Sequence, residues 1–137
     1  MEILAKKSIF IDGQEHKKTL RQHTLDVLEA FFALFGDAEN PTLFAKQWLR
    51  FFRIPESDYA TFYQCVRIAI ILHDLGKSNA HFLDAVTRGG GQSLRHEFIG
   101  GWILSLKPFR GFLESLENTD FQIIRASVMG HHLKLKR

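Results

Sequence analysis

The spacing of apolar residues is helical from Thr19 onward. Between Thr19 and Phe35, apolar residues and one histidine recur at intervals of three and four, which places them on one face of a helix. The residues of this face are His23, Val27, Ala30 and Leu34. Thr19 is a favourable N-cap residue and Gly36 a typical helix terminator, so the sequence predicts a first helix between them.

The same reasoning predicts six further helices. The second helix is opened by Pro41 and covers 41–52, and the third follows Pro55 and Ser57 and ends at about Asp74 or Leu75. Ser78 caps the fourth helix, over 79–88, and the fifth extends from about Ser93 to Leu106. A short sixth helix begins at Pro108, and Thr119 caps the seventh, over 120–132. Residues 3–12 favour a short strand, 12–18 a turn or loop, and the triple glycine 89–91 a break. We therefore expect an all-α helical bundle with a short extended N-terminal segment, forming one domain over residues 1–137.

Composition limits the class of protein without indicating a function. The 137 residues are 45% hydrophobic and 24% charged, which is ordinary for a globular domain. The lone cysteine, Cys65, excludes an intramolecular disulfide and fits a reducing compartment. Because we find neither a run long enough to span a membrane nor a signal-peptide pattern, we expect a cytoplasmic location and no membrane partner. The net charge of +3 permits a polyanionic partner but does not require one.

The third predicted helix ends on an ionisable pair, His73 and Asp74, directly after the largely apolar segment 66–72. A helix that is apolar on nearly every side is buried, and its inner stripe through Val66 and Ala69 continues to His73. An unpaired buried carboxylate is strongly unfavourable. Either the two side chains hydrogen-bond to each other in the core, or a divalent cation supplies the missing positive charge.

The positions of the other histidines favour the metal ion. His23 lies on the inner face of the first helix, and His96 precedes a glycine pair that would let its helix pack closely. Two more histidines end the last helix, so four separate helices each bring a histidine to an inner face or a helix end. Such a set is hard to satisfy as ordinary core. The predicted ligands of divalent metal are His23, His73, Asp74, His96, His131 and His132.

The order of these motifs resembles a known family. The motifs are Leu-Arg-Gln-His at 20–23, His-Asp-Leu-Gly-Lys at 73–77, Arg-His-Glu at 95–97 and Gly-His-His at 130–132. Together they resemble the HD superfamily of metal-dependent phosphohydrolases. The resemblance is closer to the HD nuclease domain of CRISPR-associated type I interference helicase-nucleases, and it extends over residues 5–132, including the Ala-Lys pair at 5–6.

The resemblance implies a role for each motif. His23, His73 and Asp74 would hold one ion. Asp74 would bridge to a second ion, held by His96, His131 and His132. The catalytic residues implied are Asp74 and Lys77, with Lys77 near the scissile phosphate. The alternative for Lys77 is a solvated lysine after a helix that ends at Gly76.

The function implied by the resemblance is hydrolysis of phosphodiester bonds in single-stranded DNA during CRISPR interference, by endonuclease or exonuclease action. The implied cofactors are up to two divalent ions, drawn from Mn, Mg, Ni, Co and Fe. The implied partners are single-stranded DNA, a superfamily 2 helicase domain or subunit, and the CRISPR RNA-guided surveillance complex. Basic residues that could guide the strand are Lys6, Lys7, Arg88, Arg95, Lys134, Lys136 and Arg137.

The sequence departs from the family pattern at one point. The family continues past Gly-His-His to a helix whose aspartate completes the first ion site, whereas no Asp follows Asp120 here. We therefore expect either an N-terminal fragment of a longer protein or an incomplete first site that binds metal weakly.

Some residues and functions stay open. His16 and His81 match no family ligand, and Asp26 is either a hydrogen-bond partner of His23 or a solvated side chain. The chain could alternatively be a nucleotide phosphohydrolase of the wider HD group. It could also be a degenerate HD domain that only binds protein partners.

Overall fold

The computed structural model describes residues 3–88 and 94–132. Its first element is a hairpin of two antiparallel strands, β1 (Ile9–Ile11) and β2 (Gln14–His16). The chain reverses at Asp12 and Gly13, which both have positive φ angles, of 50° and 77°. The expected strand at 3–12 is confirmed in part, whereas the expected loop at 12–18 is wrong at β2. Pairing with β1 satisfies backbone groups that a loop would leave to solvent.

The rest of the described chain is helical, which confirms the all-α class. The helices are α1 (Leu20–Phe35), α2 (Leu43–Phe51), α3 (Tyr59–Leu72), α4 (Ala80–Arg88), α5 (His96–Ser105), α6 (Lys107–Glu114) and α7 (Phe121–Gly130). Two short 3-10 turns, Glu56–Asp58 and Leu75–Lys77, precede α3 and α4. None of the described helices is both long and apolar enough to cross a membrane. The predicted break at 89–91 and helix start at Ser93 lie outside the described residues.

Local capping fixes several helix ends. The Thr19 hydroxyl accepts a hydrogen bond from the Gln22 amide at 3.1 Å, and Gly36 ends α1 with a φ of 84°, both as predicted. Two other caps lie one residue after the predicted position, because Asn79 and Asp120, and not Ser78 and Thr119, accept the first-turn amide hydrogens of α4 and α7. Helix α2, predicted to open at Pro41, begins at Leu43 after Thr42, whose hydroxyl accepts from the Ala45 amide.

One predicted cap and two predicted helix ends differ from the structure. The Thr119 hydroxyl lies 2.8 Å from the Leu116 carbonyl, to which it donates, so it is directed back toward α6. Helix α3 ends at Leu72, two or three residues before the predicted end, because the chain tightens into the turn Leu75–Lys77. Similarly, α7 ends at Gly130, so His131 and His132 follow the helix and do not belong to it.

Helix α3 is the central element, and residues on its two sides belong to two apolar clusters. One cluster joins α3 to α5, α6 and α7 through Cys65, Ala69, Leu104, Leu113, Phe121, Ile124 and Val128. The other joins α3 to α1 and α2 through Phe31, Ala45, Leu49, Tyr59 and Tyr63. The predicted burial of α3 is confirmed only in part, because Ala69 is buried whereas Ile71 is exposed. The residues at and just after its C-terminal end are positioned by α1, α5 and α7.

Glycines allow α5 to approach its neighbours closely, as the sequence predicted. A Cβ atom on Gly101 would lie 2.4 Å from Met129 Cγ, and one on Gly100 would lie 3.3 Å from Val128 Cγ1. A Cβ on Gly76 would lie only 1.9 Å from the carbonyl oxygen of His96. The turn after α3 and the start of α5 are therefore in direct backbone contact, which places Asp74 beside His96.

Candidate metal centre

Four parts of the fold meet at Asp74. His23 lies in the first turn of α1, and His73 and Asp74 follow the last residue of α3. His96 is the first residue of α5, and His131 and His132 follow α7. Each side chain therefore projects from a helix end, where packing within the two apolar clusters fixes the backbone.

The first group of candidate ligands consists of His23, His73 and Asp74. His73 Nε2 lies 3.3 Å from both His23 Nε2 and Asp74 Oδ2, and His23 Nε2 lies 3.6 Å from the same carboxylate oxygen. Ligands that bind one ion at about 2.1 Å are separated by roughly 3 to 3.5 Å. The three atoms are thus close to the spacing that one ion requires.

The second group consists of Asp74, His96, His131 and His132, whose ligand atoms all lie within 4.8 Å of one another. His96 Nε2 lies 3.2 Å and His131 Nε2 lies 3.7 Å from Asp74 Oδ1. The two groups therefore use different oxygens of the same carboxylate. All six residues predicted as ligands are brought together, and Asp74 belongs to both groups.

Backbone carbonyls orient two of the imidazole rings. His73 Nδ1 lies 2.6 Å from the Ile70 carbonyl oxygen, and His131 Nδ1 lies 2.6 Å from the Val128 carbonyl oxygen. A protonated Nδ1 donates to the carbonyl in each case, which leaves Nε2 unprotonated and directed toward Asp74. Both histidines are therefore held in the tautomer that a metal ligand requires.

Burial and close contacts set the ionisation of the centre. Burial opposes the charge on Asp74, but contacts with His73, His96 and Lys77 hold its pKa well below the usual range. Burial also lowers the pKa of His23, His131 and His132, which favours neutral imidazoles. Burial also acts to lower the pKa of His73, but the hydrogen bonds to Asp74 and to the Ile70 carbonyl outweigh it, so the net pKa of His73 is raised.

Several polar atoms at the centre lack hydrogen bonds. Within the described residues, Asp74 Oδ1, His96 Nε2 and His131 Nε2 are buried without a hydrogen-bond partner. A His-Asp pair satisfied in the core would not leave three such atoms facing one another, since each costs about 1–3 kcal/mol. A cation among them would satisfy all three, so the buried cluster fits a metal ion.

Lys77 is buried and is not the solvated lysine that the sequence left open as an alternative. Its side chain is 9% exposed, and Nζ lies 2.7 Å from Asp74 Oδ2. The ammonium also lies 5.5 Å from the ring centre of Phe82. Lys77 therefore contacts the carboxylate oxygen that the first ligand group shares.

Glu97 was not among the predicted site residues, yet its carboxylate lies 3.6 Å from His96 Nδ1. Glu97 is buried and forms an ion pair with Arg95, whose guanidinium also donates to the His132 carbonyl at 3.0 Å. Arg95, expected to guide a strand, thus joins the two segments that carry His96 and His132. The Arg-His-Glu motif could have indicated Glu97 as a site residue, but the burial of this glutamate depends on packing and is not visible in the sequence.

The remaining sequence candidates lie away from the centre or outside the described residues. Asp26 pairs with Gln22 and Lys18 at 2.7 Å and 2.5 Å, and its recorded polar contacts do not include His23. His16 and His81 are exposed. Arg88 lies 3.7 Å from Asp84 on the same helix. Lys134, Lys136 and Arg137 lie outside the described residues.

Comparisons with known proteins assign no relative: no family model, no curated protein and no solved structure matches the chain.

Proposed function

We propose that this chain is a metal-dependent nuclease domain that hydrolyses phosphodiester bonds of single-stranded DNA in CRISPR interference. The observation that carries the proposal is the position of Asp74, whose two oxygens belong to two separate groups of histidine ligands. A carboxylate shared in this way is suited to two divalent ions close together, which would activate water and stabilise charge on the attacking and leaving oxygens.

The residues of the chain have defined tasks in this proposal. His23, His73 and one oxygen of Asp74 bind the first ion, while His96, His131, His132 and the other oxygen bind the second. The Ile70 and Val128 carbonyls keep His73 and His131 in the required tautomer. Lys77 supplies a buried positive charge within reach of a phosphate that approaches Asp74. Mn, Mg, Ni, Co and Fe are all compatible with imidazole and carboxylate ligands.

The motif order supports the choice of substrate and partners. The set from His23 through His-Asp-Leu-Gly-Lys and Arg-His-Glu to Gly-His-His is shared with the nuclease branch that the sequence resembles. On that basis we propose a cytoplasmic protein that acts with a superfamily 2 helicase and the RNA-guided surveillance complex. A nucleotide phosphohydrolase and a degenerate binding domain are the outcomes that the following experiment separates from a nuclease.

The test combines calorimetric titration with Mn²⁺ and cleavage of a labelled single-stranded oligonucleotide. The wild-type chain is expected to bind Mn²⁺ weakly and to cut the strand at a low rate, because the first ion site lacks one ligand of the family pattern, and chelator is expected to abolish cleavage. Asp74→Asn should remove both properties because it takes a charge from both ligand groups. Asp84→Asn, at a largely exposed position on α4, is the matched control and should resemble wild type.

A second ligand variant protects the test against misfolding. His96→Gln keeps Asp74 and Lys77 paired, and circular dichroism will show whether each variant is folded. A folded Asp74→Asn or His96→Gln variant that cuts at the wild-type rate would contradict the nuclease. Mn²⁺ binding with hydrolysis of free nucleotides but not of DNA would favour the phosphohydrolase. Absence of Mn²⁺ binding would favour the degenerate domain.

A further inference from the structure

We propose that a cavity next to Asp74 binds an unpaired nucleobase of the strand, an inference that rests on the nuclease function proposed above. The cavity has a volume of about 510 Å³ and lies between the N-terminal segment, α1 and the end of α3. Asp74 forms part of its wall, so the cavity opens directly beside the candidate metal centre. Its apolar lining consists of Ile3, Leu20, Leu25, Ile71 and Leu75.

The size and lining of the cavity fit a flat, weakly polar group. Its volume falls within the range of small-molecule sites, roughly 300 to 1,000 Å³. Leu25 and Ile71 are 43% and 46% exposed, so they offer apolar surface that a ligand would cover. A base presents two flat faces that aliphatic side chains of this kind can cover.

Charge selects a nucleotide over an uncharged apolar ligand. Arg21 also lines the cavity, and no ion pair or hydrogen bond of its side chain is recorded within the described residues. A guanidinium at this position can bind a backbone phosphate beside the inserted base. A second cavity, of about 240 Å³, reaches the centre at His73 and His131, but the described residues that form the rest of its lining are apolar or hydroxylic.

A consequence for specificity follows from the lining. Within the described residues, the polar side chains of the cavity wall besides Asp74 are Arg21 and the hydroxyls of Thr19, Thr24 and Ser78. A base within a duplex is stacked between its neighbours and must leave the stack before it can enter. The cavity therefore selects unpaired strands over duplex DNA.

The experiment measures binding by fluorescence anisotropy in the presence of chelator, so that metal and cleavage contribute nothing. The probes are a short oligothymidylate and an abasic oligonucleotide of the same length. Wild type is expected to bind the oligothymidylate about tenfold more tightly than the abasic strand, which corresponds to about 1.4 kcal/mol. Leu25→Asn and Ile71→Asn should each reduce this preference several-fold.

The chain provides matched controls. Leu34→Asn lies on the same helix as Leu25 and Ile123→Asn lies on α7, each at a residue with 48% exposure outside the cavity lining. Both controls should keep the preference, and all four variants should keep the Mn²⁺ affinity of wild type. Equal binding of the two probes by wild type, or equal losses in cavity and control variants, would overturn the inference. Loss of Mn²⁺ binding in the cavity variants alone would also overturn the inference. If the wild-type protein itself did not bind Mn²⁺, that result would contradict the proposed function instead.

Discussion

At the scale of single residues, Asp74 Oδ2 lies close to three side-chain nitrogens that compete for it. Lys77 Nζ lies 2.7 Å from it, while His73 Nε2 and His23 Nε2 lie 3.3 Å and 3.6 Å away. An ammonium ion and a divalent ion on one oxygen repel each other strongly at low dielectric. Metal binding by the first ligand group therefore has to displace the Lys77 ammonium from Asp74.

Replacing Lys77 should accordingly strengthen metal binding. We expect Lys77→Met to raise the Mn²⁺ affinity by about tenfold or more, because the ion no longer competes with a buried ammonium. Cleavage should decrease at the same time, since the positive charge near the phosphate is lost. Calorimetric titration and the strand cleavage assay measure the two effects separately. Lys46→Met, at an exposed position on α2, is the control, and an affinity in Lys77→Met equal to that of this control would refute the competition.

At the scale of elements, the contact between the turn Leu75–Lys77 and α5 aligns the two ligand groups. Gly76 lies against the first turn of α5, where a Cβ atom would come within 1.9 Å of the His96 carbonyl oxygen. The contact involves backbone on the α5 side, so a side-chain rotation cannot relieve it. The spacing between Asp74 and His96 is therefore set by a glycine that carries no ligand.

Two glycine substitutions test this role. Gly76→Ala should separate the turn from α5, lower the free energy of unfolding by about 3 kcal/mol or more, and weaken Mn²⁺ binding. Gly111→Ala is the matched control, because a Cβ at Gly111 in α6 would meet nothing within 4 Å. The control should stabilise the protein by about 0.5–1 kcal/mol through helix propensity. Denaturant unfolding measures both changes, and a Gly76→Ala variant as stable as Gly111→Ala would contradict the contact.

At the scale of the whole molecule, the ligand groups connect α1, the end of α3, α5 and the end of α7. No unfolded chain can present the same set, so an ion bound there stabilises the entire fold. The same linkage makes the protein sensitive to pH. Burial lowers the pKa of His23, His131 and His132, so the unfolded chain takes up protons before the folded chain does.

We therefore expect Mn²⁺ at a free concentration of 100 times Kd to raise the free energy of unfolding by about 2.7 kcal/mol at pH 7.5. This gain should shrink as the pH falls, first above about 6.5 through His73, whose pKa is raised, because protons then compete for the ligands.

Metal-free stability should also fall below about 6.5, because the three histidines with lowered pKa oppose protonation in the folded state and outnumber His73, which acts in the opposite direction. Thermal unfolding across pH, with and without Mn²⁺, measures both trends. His81→Gln is the control at an exposed position, and a Mn²⁺ effect that is constant down to pH 5 would contradict histidine ligation.

The sequence by itself determined the features that depend on residues close together in the chain, namely the helices, their ends and their inner faces. Helical spacing predicted the seven helices, and it placed His23 and His73 on inner faces, because side-chain direction repeats with the helix period. Thr19 and Gly36 marked the ends of α1 through local hydrogen bonding and backbone conformation. The six candidate ligands, which the structure brings together, were likewise predicted from their positions in motifs.

Only the tertiary structure decided what depends on distances between separate helices. It assigned one oxygen of Asp74 to each ligand group, buried Lys77 against that carboxylate, and placed Glu97 behind His96. It also formed the cavity beside Asp74 from residues far apart in the chain. The spacing between Asp74 and His96 follows from the approach of α5 to the turn after α3, whereas the cavity follows from packing of the N-terminal segment and α1 against the end of α3. Both depend on packing between segments far apart in the chain, which leaves no periodic signal in the sequence.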